Sequence, residues 1–230
     1  MGSTYGTLET QMLEFLGNRD DASTKSMLMV SFNWFQNVLS KVAPWGELEK
    51  HTTKALTATD YEYNLITDWG LTTLRKLNTI KLHDGTRYYP PMDFVTPVRW
   101  DTEFAINIHF GTHKPTHFTL RGNYIIFNCQ PEAGLTADLW YFAYPTSVTT
   151  TLSVVDYRTE MDPVMMCMAV GITWLGLEEP DQSAKWLSLG SKMLKDFGVD
   201  GITVEHMKAF GQTHSVGSDY WKDPFVKGVR

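Results

Sequence analysis

His109, His113 and His117 recur at four-residue intervals, the spacing that puts three imidazoles near one face of a helix and could hold zinc. Gly111 and Pro115 interrupt the stretch and speak against a helix, and on a strand or loop the interval has no special meaning. No metal site is expected. Asp60 with Glu62, and Asp101 with Glu103, are carboxylate pairs two residues apart, which on a strand would share a face and could do acid–base work. Such pairs are equally ordinary on a solvated surface. The chain has no phosphate-cradling G-x-x-x-x-G-K-[ST], no dinucleotide-type G-x-G-x-x-G and no G-x-S-x-G elbow. Cys129 and Cys167 lack the paired spacing of a redox or zinc site and read as buried thiols of a reducing compartment. No catalytic residue and no cofactor are expected.

The elements around these residues are easier to read than any chemistry. Thr7–Leu16 carries Leu8, Met12, Phe15 and Leu16 at helical spacing, and Gly17 can end that helix. Asp20 or Asp21 can cap a second helix running to about Val42, where Pro44 stops it. Leu28, Phe32, Phe35 and Leu39 form one stripe of it, and Met27, Trp34 and Val38 form another beside it, so it should pack against more than one neighbour.

From Trp45 to Tyr157 the pattern changes to short runs punctuated by Gly and Pro, with strands expected at 72–82, 87–89, 118–120, 124–129 and 139–144. His83-Asp84-Gly85 and Arg121-Gly122-Asn123 should be hairpin turns, and 91–100 a short helix or a loop. Asp162-Pro163 predicts a helix start with Asp at the cap, and 164–177 is apolar on nearly every face. Met161, Met165, Met166 and Met168 read as core filler. After the acidic turn Glu178-Glu179-Pro180-Asp181, Leu187, Gly190, Leu194 and Phe197 mark the inner face of a partner helix, which Gly198 can end.

The layout predicts an α+β fold in which helices from both ends of the chain form one bundle around an inserted β-rich, antiparallel sandwich- or barrel-like domain. The divisions are 1–44 (N-terminal helices), 45–157 (β-rich domain), 158–198 (helical hairpin) and 199–230 (an extended tail). The tail has charges of both signs and Tyr220, Trp221 and Phe225 near its end, an aromatic tip that usually docks on something. A net charge of −6 and the lack of a basic stripe argue against general affinity for nucleic acid, even with Arg121 among aromatic strands. Residues 1–12 do not resemble a signal peptide and the longest apolar run, Pro163–Leu177, is too short to span a bilayer, so a protein made in the cytoplasm is expected.

Four local features in this order resemble bacteriophage head-to-tail adaptor (head-completion) proteins over about residues 7–198. They are Trp34-Phe35 followed by Trp45-Gly46-Glu47-Leu48, the hairpin Pro115–Phe127 with Gln130-Pro131 after it, the strand Leu139–Tyr144 with Pro145, and the apolar helix 164–177 leading through an acidic turn to Ala184-Lys185-Trp186. Segments 86–114 and 199–230 depart from the family's pattern. The resemblance implies a structural virion protein made in the host cytoplasm. It would form a dodecameric ring beneath the portal, extend the DNA channel, touch passing DNA transiently and offer a docking face for tail and nozzle proteins.

Family members generally anchor through a C-terminal tail, so Tyr220, Trp221, Phe225, Lys227 and Arg230 are the expected portal-docking residues, and deleting 199–230 should abolish attachment. High aromatic content, at 13%, suits large subunit interfaces. The competing readings are a tail-nozzle or tail-completion protein, or a small hydrolase or glycan-binding module that stacks sugars on Tyr61, Tyr63, Tyr88 and Tyr89. Packing of those tyrosines between strands is the simpler expectation.

Overall fold

A computed structural model of the protein describes residues 2–104 and 109–199, with the backbone alone at 109–111. Among these residues are five α-helices: α1 (Tyr5–Phe15), α2 (Ala22–Val42), α3 (Pro97–Glu103), α4 (Asp162–Gly176) and α5 (Pro180–Asp196). The strands are β1 (Glu49–Ala55), β2 (Glu62–Asn64), β3 (Leu74–His83), β4 (Asp93–Phe94), β5 (His109–His113), β6 (His117–Arg121), β7 (Tyr124–Phe127), β8 (Cys129–Pro131) and β9 (Thr136–Ala143). The fold is therefore mixed, with small and mainly antiparallel sheets. Its contacts separate into two compact units, one spanning Glu49–Ala143 and the other made of the chain before and after it. No described helix is long and apolar enough to cross a membrane.

In the helical unit, Asp21 caps α2 by accepting from the Thr24 amide at 2.9 Å. Leu28, Phe32, Phe35 and Leu39 of α2 are fully buried, while Met27 and Trp34 of the second stripe are only half covered. Helix α4 begins with Asp162 inside the helix, after a short 3-10 turn at Thr159–Met161, rather than with Asp162 as its cap. The reason is that its carboxylate is occupied elsewhere, accepting from the Ser3 hydroxyl. Burial of α4 on all sides holds as far as Trp174, after which Leu175 is 57% exposed. Against it α5 packs closely through glycines: a β-carbon on Gly171 would lie 2.7 Å from Leu187, and one on Gly190 would lie 2.5 Å from Met168. Phe197, expected on the inner face, is partly exposed because the helix ends there and Gly198 turns the chain.

Three helices end in the same hydrogen-bonded reversal. The amides of Asn18, Glu179 and Val199 reach back to the carbonyls of Leu13, Trp174 and Leu194 at 2.8, 3.0 and 3.1 Å. The reversal needs one residue in the left-handed region. Gly17 and Gly198 supply it at no steric cost, but at the end of α4 the residue is Glu178, with φ +61°. A β-carbon there costs about 1–2 kcal/mol, less the chain entropy that glycine would restore to the unfolded state. Glu178→Gly should therefore stabilise the protein by about 0.5–1 kcal/mol in urea unfolding. Glu178→Ala, which keeps the β-carbon, should give no such gain.

The sheet unit contains a three-stranded sheet in the order β1-β9-β3, a four-stranded sheet β2-β7-β6-β4 and the pair β5-β8. The uneven alternation along 74–82 has a geometric cause. Register shifts between Leu74 and Lys76 and between Leu77 and Thr79 each insert one residue opposite β9. Leu74, Leu77, Ile80 and Leu82 thus all stay on the core face, opposite Ala143, Tyr141, Leu139 and Ala137. The β6–β7 hairpin closes at Arg121 and Tyr124, with Gly122 at φ +55° in a two-residue turn.

Three expectations are corrected. Arg87–Tyr89 is no full strand: it folds back through a single bridge, Tyr88 to His83, with the Tyr89 amide donating to the Leu82 carbonyl at 2.8 Å, and prolines 90 and 91, which lack an N–H, stop the pairing there. Cys129 belongs to a separate strand after a bend at Asn128, whose side chain is drawn to the amides of Thr116 and His117. The sheets are not purely antiparallel, since β4 with β6 and β5 with β8 run parallel, each pair joined by a connection long enough for a crossover.

Candidate functional site

The residues singled out for chemistry are dispersed into structural roles. His113 and His117 lie on or beside strands, His117 between the Thr116 hydroxyl at 2.8 Å and the Asp93 carboxylate at 3.8 Å. The His109 side chain lies outside the described residues. Among the described residues no three His, Cys, Asp or Glu side chains converge as metal ligands. Asp101 pairs with Arg121, and Glu103 takes both oxygens to Arg99 Nε at 2.8 Å. Asp60 contributes its carbonyl to the Tyr63 hydroxyl, and Glu62 lies exposed on β2. Cys129 and Cys167 are free and buried, and burial pushes both thiols up, away from the reactive thiolate. Met161, Met165 and Met168 are fully buried core residues. Tyr63 packs against Phe127 at 5.5 Å in the sheet core, and Tyr88 is exposed beside His83.

The stretch Trp45-Gly46-Glu47-Leu48 forms the exit from α2. The carbonyls of the last turn lose their amide partners when Ala43 goes extended and Pro44 offers no N–H. The Trp45 indole N–H fills one gap by donating to the Leu39 carbonyl at 2.7 Å. Its ring packs edge-on against Tyr157 at 5.9 Å, whose hydroxyl donates to the Gln36 carbonyl at 2.9 Å. Glu47 accepts from Arg158 Nε at 2.6 Å, and the Asn33 amide bonds Val148 in both directions at 2.8 and 2.7 Å. The returning chain from Val148 to Arg158 is thus fastened along α2, while its Thr151, Ser153 and Val155 backbone groups bond Gly6, Tyr5 and Ser3.

Asp162 completes this fastening at the start of α4. Burial pushes its carboxyl up, opposed by the Ser3 hydrogen bond and reinforced by Glu160, and one oxygen has no hydrogen-bond partner. A carboxyl raised above its unfolded value holds its proton more tightly in the folded chain. Stability from this group is therefore full below about pH 4 and declines as pH rises through the folded value. Asp162→Asn should flatten that decline and give about 0.5–1 kcal/mol at neutral pH, the lost helix-dipole contact offsetting part of the relief. Thermal unfolding from acid to neutral pH measures both.

Two outward surfaces were not legible as sites. On α5, Trp186 and Met193 are half-buried, and Leu189 and Phe197 are each 41% exposed. Phe15 of α1 packs on Trp186 at 4.8 Å, so the apolar flank spans two helices. On the sheet, His51 lies over Trp140 at 4.4 Å, and the buried Asp138 has one imidazole on each side, His51 at 3.5 Å and His83 at 3.6 Å. The strand expected at 139–144 gave no sign of this second face, because its partner strands β1 and β3 lie far away in sequence. The tail residues Tyr220, Trp221, Phe225, Lys227 and Arg230 lie outside the described residues.

Comparison with known proteins gives a family match. The family described as SU10 adaptor protein matches residues 3–199. No curated protein matches the sequence.

Proposed function

From the premise that the chain belongs to the SU10 adaptor protein family, we propose that it is a structural virion protein joining a phage head to its tail. In this reading it forms a dodecameric ring beneath the portal, extends the DNA channel and leaves one face for tail proteins. The family match over residues 3–199 carries the reading, because it spans both compact units and the helix exit at Trp45. The helices from the two ends of the chain serve as the ring body, and 45–157 is the domain inserted between them in sequence. The tail reaches the portal with Tyr220, Trp221, Phe225, Lys227 and Arg230. Interfaces of this kind use buried aromatic anchors, which the tail has in a short span. The chain acts by assembly rather than catalysis and needs no cofactor.

The test is to mix the protein with the portal protein of the same genome and image the product by electron microscopy. A second ring of twelvefold density stacked on the portal supports the adaptor role. A portal without added density overturns it, and the same experiment with purified tails would then place the protein farther along the tail.

A further inference from the structure

Asp138 lies on β9, the middle strand of the β1-β9-β3 sheet, between the core residues Ala137 and Leu139, so alternation turns its side chain to the opposite face. It is nevertheless only 6% exposed. A single carboxylate oxygen, Oδ1, has His51 Nε2 at 3.5 Å and His83 Nε2 at 3.6 Å. Among the described residues the carboxylate has no other ion-pair or hydrogen-bond partner. The two imidazoles differ at their far nitrogens. His83 Nδ1 accepts from the Gly85 amide at 3.2 Å, inside the turn that leads back to Tyr88. A neutral His83 therefore carries its proton on Nε2, facing Asp138. A second proton has only Nδ1 to go to, where it would meet the Gly85 N–H donor against donor. His51 stands on the opposite edge strand with its ring against Trp140, and its protonation breaks no such bond.

We propose that this cluster is an acid-operated latch on the turn at 84–88. Proton uptake at His83 Nδ1 ends the Gly85 hydrogen bond and frees that side of the turn, and Asp138 is the charge that draws the proton in. His51 opposes the step, because its own imidazolium shares the same oxygen and repels a second cation. The latch does not depend on the family match. The other charged groups that face the pair are Glu49 on β1, Lys76 and Lys81 on β3, Arg75 over the Phe142 ring, and Asp84 and Arg87 in the turn. Lys81 is directly opposite Asp138, and Glu49 accepts from the Asn78 amide at 2.7 Å. Asp84 accepts from the Tyr89 hydroxyl at 2.6 Å and from the Arg87 and Thr86 amides at 2.8 and 3.0 Å, bonds that hold its carboxyl well below the usual range. It stays ionised where histidines titrate, so a change in the turn at those pH values belongs to His83.

Nitrogen-15 NMR of the full-length chain between about pH 8 and pH 5 tests this. The expected result is an Nε2–H tautomer of His83 at the alkaline end and one midpoint shared by His83 protonation and the movement of the Gly85 amide resonance. Asp138→Asn should lower that midpoint by about half a pH unit or more, and His51→Gln should raise it. Dispersed amide resonances verify that each variant is folded, and if one is not, the wild-type titration decides alone. An Nδ1–H tautomer of His83 overturns the latch. So does a Gly85 resonance that stays fixed or follows a different midpoint, or a shift of the same sign in both folded variants.

Discussion

Truncation after Val199 is expected to abolish attachment to the portal while leaving thermal unfolding of the remaining chain within about 0.5 kcal/mol of the intact protein. The cut position follows from the end of α5. Val199 is 7% exposed, belongs to the core of the helical unit and closes the helix by donating to the Leu194 carbonyl. A deletion beginning at residue 199 would remove that closure and confuse loss of binding with loss of fold. The removed segment carries Tyr220, Trp221 and Phe225, and truncating two or three aromatic anchors at about 2–4 kcal/mol each takes a tight complex beyond detection. Co-sedimentation with purified portal reads the first outcome and calorimetry the second. A truncated protein that still binds the portal refutes the anchoring role.

The helices were legible because each obeyed local rules. Asp21 caps, Gly17 and Gly198 terminate, and Pro44 forbids continuation, so four boundaries of the helical unit follow from single residues. Asp162 misled for a long-range reason: its partner Ser3 lies at the other end of the sequence and draws the carboxylate away from capping. The β3 strand was half legible. Its leucines looked out of phase until the two bulges opposite β9 are counted, and a bulge is set by the partner strand rather than by the strand's own residues. The parallel pairings of β4 and β5 could not be read either, since two- and five-residue strands carry almost no periodicity.

The candidate surfaces divide in the same way. The acidic turn was visible because it is contiguous in sequence. Helical spacing identified Leu187 as the inner leucine of α5, but the exposed flank of Leu189 and Phe197 was not legible, because the sequence does not show where the cover from α4 ends. The cluster of His51, Asp138 and His83 is assembled from three strands spread across the sheet unit. No spacing rule within one segment could join them.

Trp45→Ala is expected to destabilise the helical unit by about 3–5 kcal/mol, the range for removing a buried tryptophan. The side chain is 7% exposed and sits in the main core beside Tyr157. Two separable losses contribute. One is the cavity beside Tyr157, and the other is the Leu39 carbonyl, which is left without its indole donor in a buried setting. Trp45→Phe keeps most of the apolar volume and should cost less, about 1–3 kcal/mol for the unpaired carbonyl and the smaller ring. Tyr157→Phe removes the hydrogen bond to the Gln36 carbonyl, and because the two rings touch, its effect in the Trp45→Ala background should be non-additive. Trp140→Ala, at an exposed tryptophan of the sheet unit, is the control and should cost under about 1 kcal/mol. Urea unfolding of the four single variants and the Trp45→Ala/Tyr157→Phe double variant decides the matter. A Trp45→Ala loss no larger than that of Trp140→Ala would mean the helix exit is held by the Glu47–Arg158 pair and the Asn33–Val148 bonds instead. The large loss would identify Trp45 as the residue that ties the exit of α2 to the returning chain at Tyr157 within the helical unit.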